Sequence, residues 1–264
     1  SRLRAVVPHA TAGFATSLHA DSVRRVALAD WVARSFARAC AVSSRRGSGK
    51  SGEVRIDAPG QEVLARSADQ IDATAIEIRF TVGLPAAGRR ILGREATTLL
   101  CDDLPDIVQR ALDHDPDRVR AHVERCEDQA ALRAQLRERG LVAFVADGAR
   151  LPRRSGVDDR PLRDDVVACV SPDSLAVTLE APYAGELRGL GIPSGVTLIV
   201  GGGYHGKSTL LSALSRSVYD HVIGDGRDLV VTDPAAVAIR AEDGRRVAGV
   251  DISPFIAALP GGRD

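Results

Sequence analysis

Nine consecutive residues, Gly201-Gly202-Gly203-Tyr204-His205-Gly206-Lys207-Ser208-Thr209, set glycines, a lysine and two hydroxyls in the spacing G-x-x-x-x-G-K-[ST]. Phosphate binding is the chemistry that such a set can do. Glycine admits backbone conformations closed to other residues, so the N–H groups of Gly201, Gly202, Gly203 and Gly206 can turn inward as an anion-binding nest. A helix opening near Gly206 would add its unpaired N–H groups and the positive end of its dipole. Lys207 then reaches the β and γ phosphates as a point charge and is the catalytic candidate, while Ser208 completes the shell of a magnesium ion otherwise held by phosphate oxygens and water. Thr209 is placed to touch the α phosphate. Tyr204 and His205 fill the variable positions and read as loop residues with outward side chains.

A cradle of this kind works only between a strand and a helix, and the flanking sequence supplies both. Gly195-Val196-Thr197-Leu198-Ile199-Val200 is a β-branched apolar run that reads as the leading strand, and Leu210-Leu211-Ser212-Ala213-Leu214 reads as the following helix. The loop is therefore expected to bind the phosphates of a nucleotide with Mg2+, the base being left open.

Composition sets the frame around this site. At 264 residues and 44% hydrophobic content the chain can bury one large core or two ordinary ones. Lys plus Arg and Asp plus Glu each number 35, so no global field recruits nucleic acid or anionic membrane, and such contacts must come from local patches. Cysteines at 40, 101, 126 and 169 show neither CxxC spacing nor disulfide density and read as buried thiols of a reducing cytoplasm, the expected compartment. No apolar run is long enough to span a membrane. The chain starts at Ser1 and contains no methionine, which reads as a piece of a longer protein.

Residues 22–40 carry Val26, Ala29, Ala33, Phe36 and Cys40 at helical steps and predict the first helix, capped by Asp21 or Ser22, with Trp31 in the core. Arg45-Arg46-Gly47-Ser48-Gly49-Lys50 imitates a second phosphate loop, but Ser44 stands where its first glycine is required and no apolar strand precedes it. Val54-Arg55-Ile56-Asp57, a Pro59-Gly60 turn and Gln61-Glu62-Val63-Leu64 then predict strands about a turn, and the basic, glycine-rich stretch before them reads either as a hairpin tip that could grip a phosphate backbone or as a solvated loop. A strand is expected over 75–83, a second basic turn at Arg89-Arg90, and helices over 94–101, 104–113 and 117–138. Leu141 to Val145 reads as a buried strand. The polar stretch 147–156, carrying Arg153 and Arg154, reads as a surface loop or hinge, with a domain boundary near 165. Strands are expected at 166–170, 175–179 and 228–233, and a hairpin over 237–252. The fold class is α/β: an N-terminal α+β domain, 1–165, followed by an incomplete P-loop domain, 166–264. Arg45, Arg46, Lys50, Arg89, Arg90, Arg153 and Arg154 are the nucleic-acid candidates.

Gly148 to Arg153, Gly191 to Val200 with the P-loop, Gly224-Asp225-Gly226-Arg227, Ile239 to Arg245 and Val250 to Ile256 together resemble the predicted ATPases of the ABC class, which lack a membrane domain. Upstream, Gly47 to Gly52, Gly60 to Leu64 and Val82 to Arg89 continue the resemblance in order. It implies an N-terminal α/β domain ahead of an ABC-type domain, magnesium-dependent ATP binding, homodimers that sandwich nucleotide, and RNA or other nucleic acid as partner. It also implies that Tyr183 stacks on adenine, the alternative being a plain surface tyrosine. One departure stands out: no run after Lys207 reads as an apolar strand closed by Asp-Glu, the form that holds magnesium and orients water. Leu229 to Asp233 is the nearest, and the resemblance places the true acidic strand beyond Asp264. Two other readings stay open: a nucleotide-gated RNA- or DNA-binding module without hydrolysis, and a P-loop kinase in which Asp233 serves magnesium.

Overall fold

The computed structural model describes residues 1–42, 50–58, 60–239 and 248–249. Its first element, β1 (Arg2–Pro8), alternates exposed and half-buried residues, and Leu3, Ala5 and Val7 face inward. A one-turn helix α1 (His9–Ala12) leads into α2 (Ser22–Val42), where Asp21 Oδ1 accepts from the Arg24 N–H at 3.0 Å, as an N-cap should. Short strands β2 (Val54–Arg55), β3 (Glu62–Val63) and β4 (Asp69–Ile71) precede the long β5 (Ala75–Val82), then a small hairpin of β6 (Ala86–Ala87) and β7 (Arg90–Ile91). β5 pairs antiparallel with β1 along one edge and with β4 and β2 along the other. Its Ile76, Ile78, Phe80 and Val82 are buried in the core that α2 also enters, with Phe36 and Phe80 ring centroids 4.9 Å apart.

Helices α3 (Gly93–Thr98) and α4 (Leu104–Leu112) run on through a π-turn at Leu99–Asp103. The 23-residue α5 (Pro116–Glu138) follows; its N-cap Asp115 accepts from the N–H groups of Asp117 and Arg118, and Pro116 occupies the first turn, where no N–H is missed. A second antiparallel sheet is built from β8 (Leu141–Ala146), β9 (Ala176–Ala181), β10 (Gly185–Pro193) and a late strand β12 (Val230–Thr232), in the order β12-β8-β10-β9. Between them in sequence lie α6 (Lys207–Arg216) and β11 (Asp220–His221), the latter paired with β3.

α5 is shared between two cores. Its Val119, Val123 and Cys126 close the core under the first sheet, and its Leu132 and Leu136 pack on Phe144, Leu179 and Val231 of the second. Its polar side is equally engaged: Gln129 both donates to and accepts from the backbone of His221, and Arg133 meets Asp220 at 2.7 Å. Arg24 of α2 reaches Glu127 at 2.9 Å.

Several sequence expectations change. The helices over 22–40 and 117–138 and the strands at 75–83 and 141–145 form, each within a few residues of its expected bounds. The 54–64 hairpin does not: β2 pairs with β5 and β3 with β11 instead of with each other. Residues 166–170 are irregular: Val167 and Val170 lie exposed, and Cys169 instead exchanges backbone bonds with Gly148 and Ala149. The expected hairpin over 237–252 falls almost wholly outside the described residues. Only Cys126 of the four cysteines is fully buried; Cys101 is exposed on the outer side of the π-turn, and none is in a disulfide. Burial pushes the Cys40 thiol up to about 11 and raises that of Cys126 as well.

One buried carboxylate makes the first half pH-sensitive. Asp69 in β4 is 4% exposed, and burial together with the neighbouring Asp30 charge raises its pKa to about 7. Asp30 itself is held by Arg34, at 2.6 and 3.1 Å. Because the folded value lies above the unfolded one, stability from this group is complete below the ordinary carboxylate range and is lost as pH rises through about 7. Asp69→Asn is therefore expected to melt above the parent chain at mildly alkaline pH and to flatten its decline between about pH 4 and 7, an effect of roughly a few kcal/mol. Thermal melts across that range test it; parallel pH curves for the two proteins would refute the assignment.

Candidate nucleotide-binding site

The loop from 201 to 206 takes the conformation its glycines permit. Gly201 has φ 149° and Gly206 φ 80°, both left-handed, and Gly206 is the N-cap of α6 with no side chain bonding to the helix start. The first helical bond in reach runs from the Leu210 N–H to the Gly206 carbonyl at 2.9 Å, which leaves the N–H groups of the first turn without an intrahelical acceptor. Tyr204 is also left-handed, with φ 61°, and its side chain is fully exposed. For a tyrosine that backbone costs about 1 kcal/mol or more, strain of the sort found where a loop is shaped for a ligand.

Lys207 folds back over the loop. Its Nζ donates to the Gly201 carbonyl at 2.6 Å and to the Gly202 carbonyl. The His205 ring lies against the same glycines, near enough that a Cβ on Gly202 would meet it at 3.1 Å. His205 thus points inward on the loop backbone rather than away from it, which the sequence did not anticipate. Ser208 is exposed and Thr209 half-buried on the first turn. The helix is fixed from below: Leu210 and Leu214 pack against Val145 of β8 and Val230 of β12, and Arg216 at its far end meets Glu62 of β3 at 2.7 Å.

The leading strand is the main departure from expectation. Residues 194–200 leave β10 after the register shift at Ile192/Pro193 and make no strand; Val196, Leu198 and Val200 are 70%, 80% and 82% exposed. The run has the composition of a buried strand, but a strand forms only with a neighbour to take its N–H and C=O groups. Among the described residues no strand pairs with it.

The other sequence candidates are scattered. Tyr183 sits in the turn between β9 and β10, its hydroxyl accepting from Arg24 at 3.0 Å and its N–H donating to Asp128 at 2.8 Å, so these bonds run to α2 and α5 rather than to the loop. Asp233 closes its own turn, Oδ1 accepting from the Ala235 N–H at 2.8 Å. Lys50, Arg89, Arg90 and Arg154 are exposed; Arg45 and Arg46 lie outside the described residues. Arg153 turns inward: it donates to the Asp225 carbonyl at 3.0 Å and meets the Asp225 carboxylate at 2.5 Å with 8% of its side chain exposed, so its charge is not offered to a ligand.

Two family models account for the whole chain. One, described as ATPase of the ABC class N-terminal, matches residues 1–115, and the P-loop domain model of the ABC ATPases matches residues 115–264. The chain belongs to the ATPases of the ABC class. An uncharacterized protein of Methanocaldococcus jannaschii is 30% identical over 170 residues, 62% of this chain, and the match spans 37% of that relative's length. No helix among the described residues is long and apolar enough to cross a membrane.

For an ABC-class ATPase the residues present suit a magnesium ion that arrives with its nucleotide. Among the described residues no group of His, Cys, Asp or Glu side chains could hold a metal unaided. Ser208 offers one exposed hydroxyl beside Lys207 at the open helix end, which suits an ion whose remaining ligands are phosphate oxygens and water.

Proposed function

We propose that this chain is the ATP-binding part of a magnesium-dependent ABC-class ATPase in which nucleotide binding and hydrolysis close a homodimer on a nucleic-acid partner. The observation that carries the nucleotide part is the loop at 201–206, with left-handed Gly201, Tyr204 and Gly206 delivering Lys207 to an uncapped helix start. Backbone N–H groups of the loop and first turn would bind the phosphates, and Lys207 would exchange the Gly201 and Gly202 carbonyls for phosphate oxygens. Ser208 would ligate magnesium, which when bound offsets charge on the β and γ phosphates. Hydrolysis also needs a carboxylate to position water, and Asp233, engaged in its own turn, is a poor candidate. Division into an N-terminal accessory domain over 1–165 and a P-loop domain over 166–264 belongs to the same reading.

Calorimetric titration of the chain tests the core of it. Saturable ATP binding is expected that weakens when magnesium is chelated, and Ser208→Ala should remove most of that magnesium dependence while retaining metal-free binding. Sedimentation with Mg–ATP reads the dimer separately. Absence of any saturable ATP binding would overturn the proposal.

A further inference from the structure

A cavity of about 780 Å3 lies away from the P-loop, on the outer face of the first sheet. Register explains its lining. Arg2 stands opposite Thr81 and Arg4 opposite Arg79 across β1 and β5, while Arg55 of β2 meets the same Thr81 from the other side. Alternation turns the apolar partners of these residues, Leu3, Phe80 and Ile56, toward α2, and turns the arginines outward together. Arg79 is fixed along the floor by Glu77 at 2.7 Å and by the Ser67 carbonyl at 3.1 Å, and Arg4 touches the same Glu77 at 3.5 Å. Arg2 and Arg55 have no ion-pair partner among the described residues, and Asp57, the acid of the lining, faces Arg66 at 3.6 Å. Positive charge is thus in excess in a concave site.

We infer that this arginine-lined face of the first sheet binds the sugar–phosphate backbone of a single-stranded nucleic acid. The inference rests on the nucleic-acid part of the proposed function and gives that partner a surface. Two strand spacings, about 10 Å, separate the β1 and β2 arginines, a width that suits one strand and not a duplex. Along β1, Arg2 and Arg4 are about 7 Å apart, two residues of extended chain. Among the described residues the one aromatic of the lining, Phe80, is buried and packs inward on Phe36, so binding reads phosphates and is indifferent to base sequence. A concave surface whose cations sit at its walls does not fit a flat bilayer.

Fluorescence anisotropy with labelled uridine and deoxythymidine oligomers, without nucleotide and across a salt series, tests this on the whole chain. Each phosphate contact to a single strand contributes about 0.7 to the log–log salt slope, so Arg2→Gln/Arg4→Gln/Arg55→Gln should lower the slope by about 2 and weaken binding roughly tenfold or more. Arg110→Gln/Arg120→Gln/Arg137→Gln, which makes the same change in net charge on exposed helix positions, should leave the slope unchanged. Oligomer binding that the first triple variant leaves intact overturns this surface and spares the partner class. Failure of the chain to bind any oligomer at low salt, with ATP binding intact, overturns both. Duplex bound as tightly as single strand, or phosphatidylserine vesicles bound in place of oligomer, overturns the single-strand assignment.

Discussion

Asp225→Ala is expected to destabilise the protein by about 3–5 kcal/mol, a fall in melting temperature on the order of 10 °C. The Asp225 side chain is fully buried between Arg153, at 2.5 Å, and His221, whose Nδ1 lies 2.9 Å away. Burial alone would raise its pKa, but the His221 and Arg153 contacts outweigh that and hold the carboxyl below its ordinary value. Alanine would leave the 8%-exposed Arg153 and the buried His221 facing each other with no anion between them, beside the fully buried Arg227. Breaking a buried pair from one side costs far more than the pair's net worth, because the desolvated partner charge remains. Asp225→Asn keeps shape and some hydrogen bonding and should cost less. Acid acts in the same direction: a depressed carboxyl contributes stability that is present above its unfolded pKa and lost as pH falls through the folded value. Chemical denaturation of the three proteins decides the matter, and a loss below about 1 kcal/mol for the alanine variant would show that water relieves the site.

Lys207→Ala should weaken Mg–ATP binding about 10- to 100-fold, the worth of one or two charge-assisted bonds to phosphate, at about 1.5–3 kcal/mol. The melting temperature should hardly move, since among the described residues the Lys207 side chain bonds only to the exposed carbonyls of Gly201 and Gly202. That pairing of a lost ligand with an unchanged fold separates a binding role from a structural one. Lys207→Arg is not expected to rescue, because a planar guanidinium cannot enter a cradle shaped for a point charge. A fluorescent ATP analogue titrated into all three forms supplies the comparison; equal affinity for parent and alanine variant would remove Lys207 from the site.

Much of this was legible in the sequence because it is local. Helical spacing of Val119, Val123 and Cys126, alternation of Ile76, Ile78 and Phe80, and the P-loop pattern each state their structure within a dozen residues. What failed was whatever depended on a distant partner. Val196 to Val200 has strand composition without a neighbour, and β2 and β3 look like each other's partners but belong to β5 and β11. β10 was missed for the opposite reason. Its glycines disguise a strand, yet a Cβ on Gly189 would sit 2.4 Å from the Val145 carbonyl and 2.7 Å from the Phe144 ring, so the residue that hides the strand is the one that lets it lie against β8. At the site, spacing identified Lys207 and Ser208, but not the inward ring of His205 or the fold-back of the lysine. Arg153 was read as a surface cation because its acid, Asp225, is 72 positions away.

α5 gives its first turns to one core and its last turns to the other, over a length of about 35 Å. A stiff rod embedded at both ends leaves no place for a hinge along its span. The nucleotide helix α6 rests on β8 and β12, which in turn rest on α5, while the arginine face belongs to the sheet at the rod's other end. Residues 201–209 and the arginine face thus stand on the two cores that α5 ties together, and a tilt of α5 would move both.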